Sequence, residues 1–411
     1  MNRVSTLIIG AGQAGLAMSR CLSEISEPHV ILERGKIANS WVTERWDSLR
    51  LLTPNWQSRL PGFAYAGADP DGFMDMREVR VFLEDYAAMS AAPVQPDTTV
   101  TSVTADDAGY RVRTDNGDWR CANVVLASGA CNRASIPAFA SDVPQHVTQL
   151  SPLNYRNPSH LPDDAVLVVG ASATGVQLAA EIRATGRRVI LSAGNHVRMP
   201  RHYRGRDIQW WLDRTGILST TSDAVDDIVR ARSVPSLQLV GDSRSELLDL
   251  NALQEAGVEI VGRLAAVRDG TALFSGSLAN AIALSDLKMT RTLAQIDAWA
   301  LRHGIDPMGP AMRFAPTRVP AAPRLKVGFT VDAISTVLWA TGFQPDFSWL
   351  HLPVFDGKGR LKHQGGIVAP GLYALGLPFL RTRKSTLIDG VGSDARALAL
   401  HLYASTGLKA A

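Results

Sequence analysis

Val166-Leu-Val-Val-Gly170-Ala-Ser172-Ala-Thr-Gly175-Val-Gln-Leu-Ala-Ala-Glu-Ile182 reads as a buried strand, a tight turn of small residues and a helix. Near the start of the chain, Leu7-Ile-Ile-Gly10-Ala-Gly12-Gln-Ala-Gly15-Leu-Ala-Met18 reads the same way. One such turn is a weak signal, because glycine-rich strand-to-helix turns also arise for packing reasons alone. Two in one chain point to two separate dinucleotide sites, each with a pyrophosphate on the positive end of a helix.

The first turn sits in a βαβ unit over residues 4–34, with an apolar strand, the turn, a helix to about Ser26 and the strand His29-Val-Ile-Leu-Glu33. Glycines there let the backbone approach a pyrophosphate. Glu33, eighteen residues past Gly15, puts a carboxylate where ribose hydroxyls can donate to it. The second unit, residues 165–192, differs in two ways. Its second strand, Arg188-Val-Ile-Leu-Ser192, ends in serine, and the missing acid leaves room for the 2′-phosphate of NADPH. Arg198, Arg201 and Arg204 follow closely and are expected to supply charge-assisted bonds to that phosphate. Ser172 stands in place of a glycine, so its hydroxymethyl group must fit beside the pyrophosphate.

At 411 residues the chain is long enough for two domains, and 46% apolar with 20% charged residues describes a globular protein. Its 42 basic and 39 acidic residues, net +3, argue against nucleic acid or a membrane surface as a partner. No apolar run reaches the roughly 18 residues of a membrane span, and the short Leu7-Ile-Ile run lacks a cleavage-like context for a signal peptide. Cys21, Cys121 and Cys131 form no C-x-x-C or C-x4-C pair, an odd and sparse set expected of a reducing, cytoplasmic compartment. His202 and His303 lack metal-ligand spacing, and no metal site is expected.

Between the two units, residues 39–56 hold Trp41, Trp46 and Trp56 among polar side chains, a block that suits either a flavin-lining wall or ordinary core. Pro61-Gly62 and Asp69-Pro-Asp-Gly72 mark loops, and Arg77–Ser90 has helical spacing. Residues 93–138 read as a β-meander with a hairpin at Asp115-Asn-Gly117, ending in Ala127-Ser-Gly129. Beyond the second unit, helices are expected around Trp210–Thr215 and Ala279–His303, with a strand near Val258–Val261. Ser335-Thr-Val-Leu-Trp-Ala340-Thr-Gly342 echoes the Ala-Ser-Gly strand. A further strand and turn at Gly371–Gly376 and a helix from near Gly390 to about Leu402 follow. The tail is expected to rejoin the first domain. The fold class is therefore α/β, with two Rossmann-like dinucleotide-binding domains: a discontinuous one over 1–162 and 326–411, and an inserted one over 163–325.

Together these residues resemble the two-dinucleotide flavoproteins, specifically the flavin-containing monooxygenase superfamily. The likeness covers nearly the whole chain. Arg50-Leu-Leu-Thr53-Pro-Asn55 is most similar to the indole-pyruvate-type monooxygenases of plants and their bacterial relatives. One departure is plain. The superfamily's F-x-G-x-x-x-H-x-x-x-[YW] segment before the second turn keeps only its aromatic, Tyr155, while Gln145, Val147 and Ser151 hold the other positions.

The resemblance implies FAD in the first domain and NADPH in the second. Hydride passes to FAD, dioxygen gives a flavin hydroperoxide, and one oxygen atom goes to a small organic substrate. An alternative is an NADPH-dependent flavin reductase or oxidase that makes peroxide without oxygenating anything. The missing C-x4-C pair removes the disulfide reductases, which relay electrons through a dithiol. By position Asn55 is the catalytic residue, its amide supporting the hydroperoxide, and Trp41, Arg50 and Trp56 are candidates for the flavin or substrate pocket. FAD is further expected on Gly10, Gly12, Gln13, Ala14, Gly15, Glu33, Arg34, Thr53, Ala127 and Gly129. From the returning segment, Thr341, Gly342, Lys384, Ser385 and Gly390 are expected at the cofactors. NADPH is expected on Gly170, Ser172, Ala173, Thr174, Gly175 and Ser192, with Arg198 and Arg201 on its phosphate. Substrate identity and homo-oligomerisation are left open.

Overall fold

The computed structural model describes residues 1–107, 109–244, 247–305 and 309–407. The chain begins β1 (Asn2–Ile9), α1 (Gln13–Glu24), β2 (His29–Leu32). Helix α2 (Met76–Met89) starts on a capping box, Asp75 accepting from the Glu78 N–H while the Glu78 carboxylate accepts from the Asp75 N–H. Then come β3 (Val94–Gln95) and the meander β4 (Val100–Asp106), β5 (Gly109–Thr114), β6 (Gly117–Leu126). The turn from β5 to β6 is the expected two-residue Asp115-Asn116 hairpin, closed by Thr114 opposite Gly117.

The second half carries β7 (Thr148–Leu150), β8 (Ala165–Val169), α3 (Ala173–Ala184), β9 (Val189–Ser192) and α4 (Ile208–Arg214). It continues with β10 (Glu259–Val261), β11 (Leu264–Arg268), β12 (Thr271–Phe274), α5 (Leu278–Arg302), β13 (Lys326–Gly328) and β14 (Ile334–Trp339). The chain closes with β15 (Ile367–Ala369), β16 (Leu372–Ala374) and α6 (Ile388–Gly407).

Two larger sheets, one mixed and one parallel, carry most of these strands, while β11, β12 and β13 form a small antiparallel sheet of their own. The first runs β15-β16-β6-β1-β2-β3, with β4 and β5 attached to β6; the second runs β7-β14-β8-β9-β10. Strands β1 and β8 are the buried centres of their sheets: Leu7, Ile8, Val166, Leu167 and Val168 are all fully buried. That is why β8 and the Leu7–Ile9 end of β1 read as continuous apolar runs rather than alternating ones. Helix α1 is covered by the first sheet on one side and by α6 on the other, so its small residues Ala14, Gly15 and Ala17 are buried with Leu16 and Met18.

The domain limits differ from those expected. Strand β14 pairs with β8 in parallel, Val169 opposite Trp339, and β7 pairs with β14. Residues 148–150 and 334–339 therefore belong to the second domain, not to the first as the limits 162 and 326 implied. A fully buried parallel strand looks alike in either sheet, so nothing local told the two apart. A hairpin also escaped the sequence reading. Asp269 and Gly270, at φ +47° and +68°, form a tight turn between β11 and β12, onto which β13 adds. Among the described residues, no helix is long and apolar enough to cross a membrane.

Candidate cofactor and active site

The two glycine turns are built alike, each residue of the second lying 160 positions after its counterpart. Gly10 has φ +107° and Gly170 φ +112°. A Cβ on Gly10 would lie 2.6 Å from the Ala127 carbonyl oxygen; one on Gly170 would lie 2.3 Å from that of Ala340. Gly15 and Gly175 each leave only 1.8 Å between an added Cβ and the carbonyl oxygen of Gly10 or Gly170. These four glycines are needed to pack the turn against its helix and the neighbouring strand. Gly12 is different: at φ −85° and ψ −172° it needs no glycine conformation, and an added Cβ would meet nothing within 4 Å. Its open side is where a ligand backbone can come close. Ser172 adopts nearly the same angles, φ −79° and ψ −174°, so the serine fits without strain, and its side chain makes no cap bond.

Neither helix has a side-chain cap, so first-turn N–H groups face outward: those of Gln13, Ala14 and Gly15 in α1, and those of Ala173, Thr174 and Gly175 in α3. Beside the first turn lies a cavity of about 220 Å³ lined in part by Gly10, Gly12, Glu33, Arg34, Ala127 and Trp349. Glu33, 8% exposed, accepts from the Ala11 N–H at 2.7 Å and the Gly35 N–H at 3.1 Å, which fixes its carboxylate at the cavity edge. Arg34 pairs with Glu44. The Gln13 side chain accepts from Trp41 Nε1 at 3.2 Å, and Gly376, φ +76°, brings the loop after β16 onto Ala14. Gly129 follows β6 at φ +88°. A glycine cradle, outward N–H groups and a fixed carboxylate fit a dinucleotide.

Thr341 and Gly342 follow β14 in the second domain, as Ser128 and Gly129 follow β6 in the first. Thr341 Oγ1 donates to the Ser135 carbonyl at 2.6 Å, and the Gly342 carbonyl accepts from the Ser135 N–H at 2.9 Å. Their resemblance to Ser128-Gly129 thus reflects a duplicated position and not a second strand of the first domain.

Several expected contacts are otherwise engaged. Arg198, 2% exposed, donates to Asp249 at 2.7 Å, Asp286 at 2.9 Å and the Ala315 carbonyl at 2.8 Å. Arg201, 1% exposed, bonds Asp207 and the carbonyls of Leu52 and Val240, with its guanidinium 4.7 Å from the Phe73 ring. Arg204 bonds Asp297 at 2.6 Å. The arginines expected on the coenzyme phosphate are thus internal ties, Arg198 and Arg204 held by acids 51 to 93 residues further on and Arg201 by Asp207, six residues away. Ser192 Oγ donates to the Gly262 carbonyl and accepts from the Leu264 N–H, so it binds protein instead of ribose. The structural counterpart of Glu33 is Ala193, one residue further on.

Asn55, 5% exposed, donates to the Asp69 carbonyl and accepts from the Met74 N–H, both at 2.9 Å. Its amide clips the 69–74 loop instead of projecting freely. Arg50 donates to the Phe73 carbonyl at 2.8 Å, and neighbouring Thr53 is half-buried. Lys384 Nζ pairs with Asp389 at 2.8 Å and, more distantly, with Asp213 at 3.7 Å. Ser385 Oγ accepts from the N–H groups of Arg381 and Thr382, and a Cβ on Gly390 would lie 1.7 Å from the Lys384 carbonyl oxygen. Lys384, Ser385 and Gly390 shape the tight entry to α6, with the Lys384 ammonium and the Ser385 hydroxyl engaged by protein partners.

The three tryptophans part company. Trp41 reaches the first turn, Trp46 enters the second domain's core, and Trp56 lines a cleft of about 440 Å³. Arg59 and Pro70 line that cleft from the first domain; Trp210, Asp213 and Arg214 line it from α4. Sequence reading missed the α4 residues because they come from the other domain. It also missed Gln57, 1% exposed, whose amide has no hydrogen-bond partner among the described residues. The linker aromatic Tyr155 is buried and donates to Glu181 of α3 at 3.3 Å, while Ser48 donates to the same carboxylate at 2.7 Å. That carboxylate therefore joins the tryptophan block, the linker and the second glycine turn's helix.

Comparison with known proteins agrees with this architecture. Residues 7–213 match the family model for pyridine nucleotide-disulphide oxidoreductases. The chain is 32% identical over 400 residues to the uncharacterized oxidoreductase CzcO-like of Geobacillus kaustophilus, covering 96% of this chain and 97% of that protein. The probable indole-3-pyruvate monooxygenase YUCCA1 of Arabidopsis thaliana is 28% identical over 186 residues, 43% of this chain and 44% of its own. Among solved structures, the flavin-containing monooxygenase from Stenotrophomonas maltophilia superposes with a TM-score of 0.66 at 19% identity, over 98% of this chain and 99% of that one. The chain belongs to the pyridine nucleotide-disulphide oxidoreductase family and is a flavin-dependent oxidoreductase.

Proposed function

We propose that the chain is an FAD-dependent, NADPH-using monooxygenase that places one oxygen atom of dioxygen on a small organic substrate. The observation that carries this reading is a pair of like-built dinucleotide cradles with no thiol placed to take electrons onward. Burial pushes the Cys21 thiol up to about 11 and the Cys121 thiol up to about 12, and raises that of Cys131, so all three stay protonated at neutral pH. All three are unpaired. With a dithiol relay set aside, this reading takes dioxygen as the acceptor.

FAD and NADPH are the cofactors. Bound FAD, reduced by NADPH, supplies the oxygen-activating chemistry. The chain binds, orients and encloses. The N–H groups of Gln13, Ala14 and Gly15 hold the FAD pyrophosphate and Glu33 its ribose. Those of Ala173, Thr174 and Gly175, with the Ser172 hydroxyl, hold the NADPH pyrophosphate. Asn55 acts as a positioning residue: by clipping the 69–74 loop it places Phe73 under Arg201, which also grips Leu52. These ties close the interdomain wall and keep water out. Trp56 and Trp210 give the neighbouring cleft aromatic sides among Arg59, Asp71, Asp213 and Arg214, which suits an aromatic substrate that also carries a polar or charged group.

The test is NADPH oxidation by the FAD-loaded enzyme in air, with amines, thioethers, aryl pyruvates and ketones offered in turn. A substrate-stimulated rate and a product heavier by one oxygen atom are expected. Hydrogen peroxide formed mole for mole with NADPH consumed, whatever the substrate, would replace the proposal by the peroxide-forming oxidase. Ser151 at the linker's histidine position is the observation that favours that second reading.

A further inference from the structure

With Arg198 and Arg201 buried in protein contacts, the second domain lacks the cation that sequence reading assigned to the coenzyme phosphate. The repeat between the two turns shows where to look. Glu33 and Arg34 follow β2 and line the cavity at the first turn. Their counterparts after β9 are Ala193 and Gly194. Ala193 is buried at 1% exposure and offers no carboxylate. Gly194 has no side chain, and the space above it is filled from elsewhere: a Cβ on Gly194 would lie 3.1 Å from Arg263 Nε and 3.8 Å from Arg263 Cβ.

Arg263 is placed there by design of the backbone. It lies two residues past β10, the strand that pairs with β9 with Ser192 opposite Val261. Ser192 Oγ donates to the Gly262 carbonyl at 3.0 Å and accepts from the Leu264 N–H at 2.9 Å, gripping the residues on either side of Arg263. Arg263 Nη2 donates to Asn195 Oδ1 at 3.0 Å, which orients the guanidinium along the loop after β9. The side chain is exposed, and among the described residues it forms no ion pair. In this fold the loop after the second strand of a βαβ unit meets the adenosine ribose. A planar, unpaired guanidinium there is suited to a phosphate dianion.

We infer that Arg263 is the residue that recognises the 2′-phosphate of NADPH, with Ser192 as the positioning residue that holds its loop. This rests on the reading of the second turn as the NADPH site. The side chain replaces, from a neighbouring strand, the cation that would otherwise stand just after β9.

The experiment measures dissociation constants of NADP⁺, NAD⁺ and adenosine 2′,5′-bisphosphate by calorimetry on the FAD-loaded enzyme, unmodified and as Arg263→Ala, Arg263→Lys and Arg198→Ala. Arg263 is exposed, so its replacement leaves the core intact. Arg263→Ala is expected to weaken NADP⁺ and the bisphosphate about 10- to 100-fold, the range of one or two charge-assisted hydrogen bonds, and to change NAD⁺ less than about twofold. Arg263→Lys should recover part of the loss. An unchanged NADP⁺ affinity in Arg263→Ala, or an equal loss for both coenzymes, overturns the inference. So does selective loss of NADP⁺ in Arg198→Ala without change in Arg263→Ala. If the unmodified enzyme binds neither coenzyme, the NADPH reading itself fails.

Discussion

Replacing Arg198 by alanine separates a structural arginine from a coenzyme ligand. Its guanidinium is 2% exposed on the side chain and faces Asp249, itself 1% exposed, at 2.7 Å. It also reaches Asp286 at 2.9 Å and the Ala315 carbonyl at 2.8 Å. Truncation removes three charge-assisted bonds and leaves the buried Asp249 carboxylate with only its cap bond from the Ala252 N–H. Breaking a buried pair from one side costs about 3–5 kcal/mol. For a domain of this size each kcal/mol lowers Tm by about 2–4 °C, so a drop of roughly 6–20 °C is expected. The assay is thermal unfolding followed by the second domain's signal, since two domains need not melt together. Arg198→Ala paired with Asp249→Asn should recover part of the loss. A variant that melts within about 2 °C of the parent while losing NADP⁺ affinity would refute the structural assignment and return Arg198 to the coenzyme.

Further outcomes follow from the same geometry. Gly10→Ala puts a Cβ 2.6 Å from the Ala127 carbonyl in a left-handed conformation, and the purified protein should carry little flavin by absorbance. Gly12→Ser should fold normally, because Ser172 already occupies the same angles, yet bind FAD more weakly where the pyrophosphate approaches. Asn55→Ala loses two buried bonds, about 2 kcal/mol, and should expose the 69–74 loop to limited proteolysis. Asp394 has its carboxyl lifted from 3.8 to about 6 by burial, and its Oδ2 has no partner among the described residues. The folded state therefore holds a proton that the unfolded state has released between those values, so stability should fall as pH rises through that window. Asp394→Asn should flatten that slope and be the more stable protein at pH 7 in urea titration; an unchanged slope would place the titrating group elsewhere.

The two glycine turns were legible because their constraints are local. Gly10, Gly15, Gly170 and Gly175 are required by contacts within a strand, a turn and the next helix, plus one neighbouring carbonyl. Glu33 was equally legible, since it binds the backbone of the turn it follows. The remainder of the site was not. Arg198 and Arg201 looked like free cations because Asp249, Asp286 and Asp207 reach them only in the folded chain. The strand at 334–339 was assigned to the wrong sheet because burial on both faces erases any mark of which sheet it joins. Arg263 gave no signal, since its place over Gly194 depends on β10 lying beside β9. Sequence alone determined that there are two dinucleotide turns and their order, because the glycines of each turn answer to the strand before it and the helix after it, a few residues away. Only the tertiary structure decided which charges are free to meet a ligand, because a cation's availability depends on every carboxylate the fold brings within hydrogen-bonding distance.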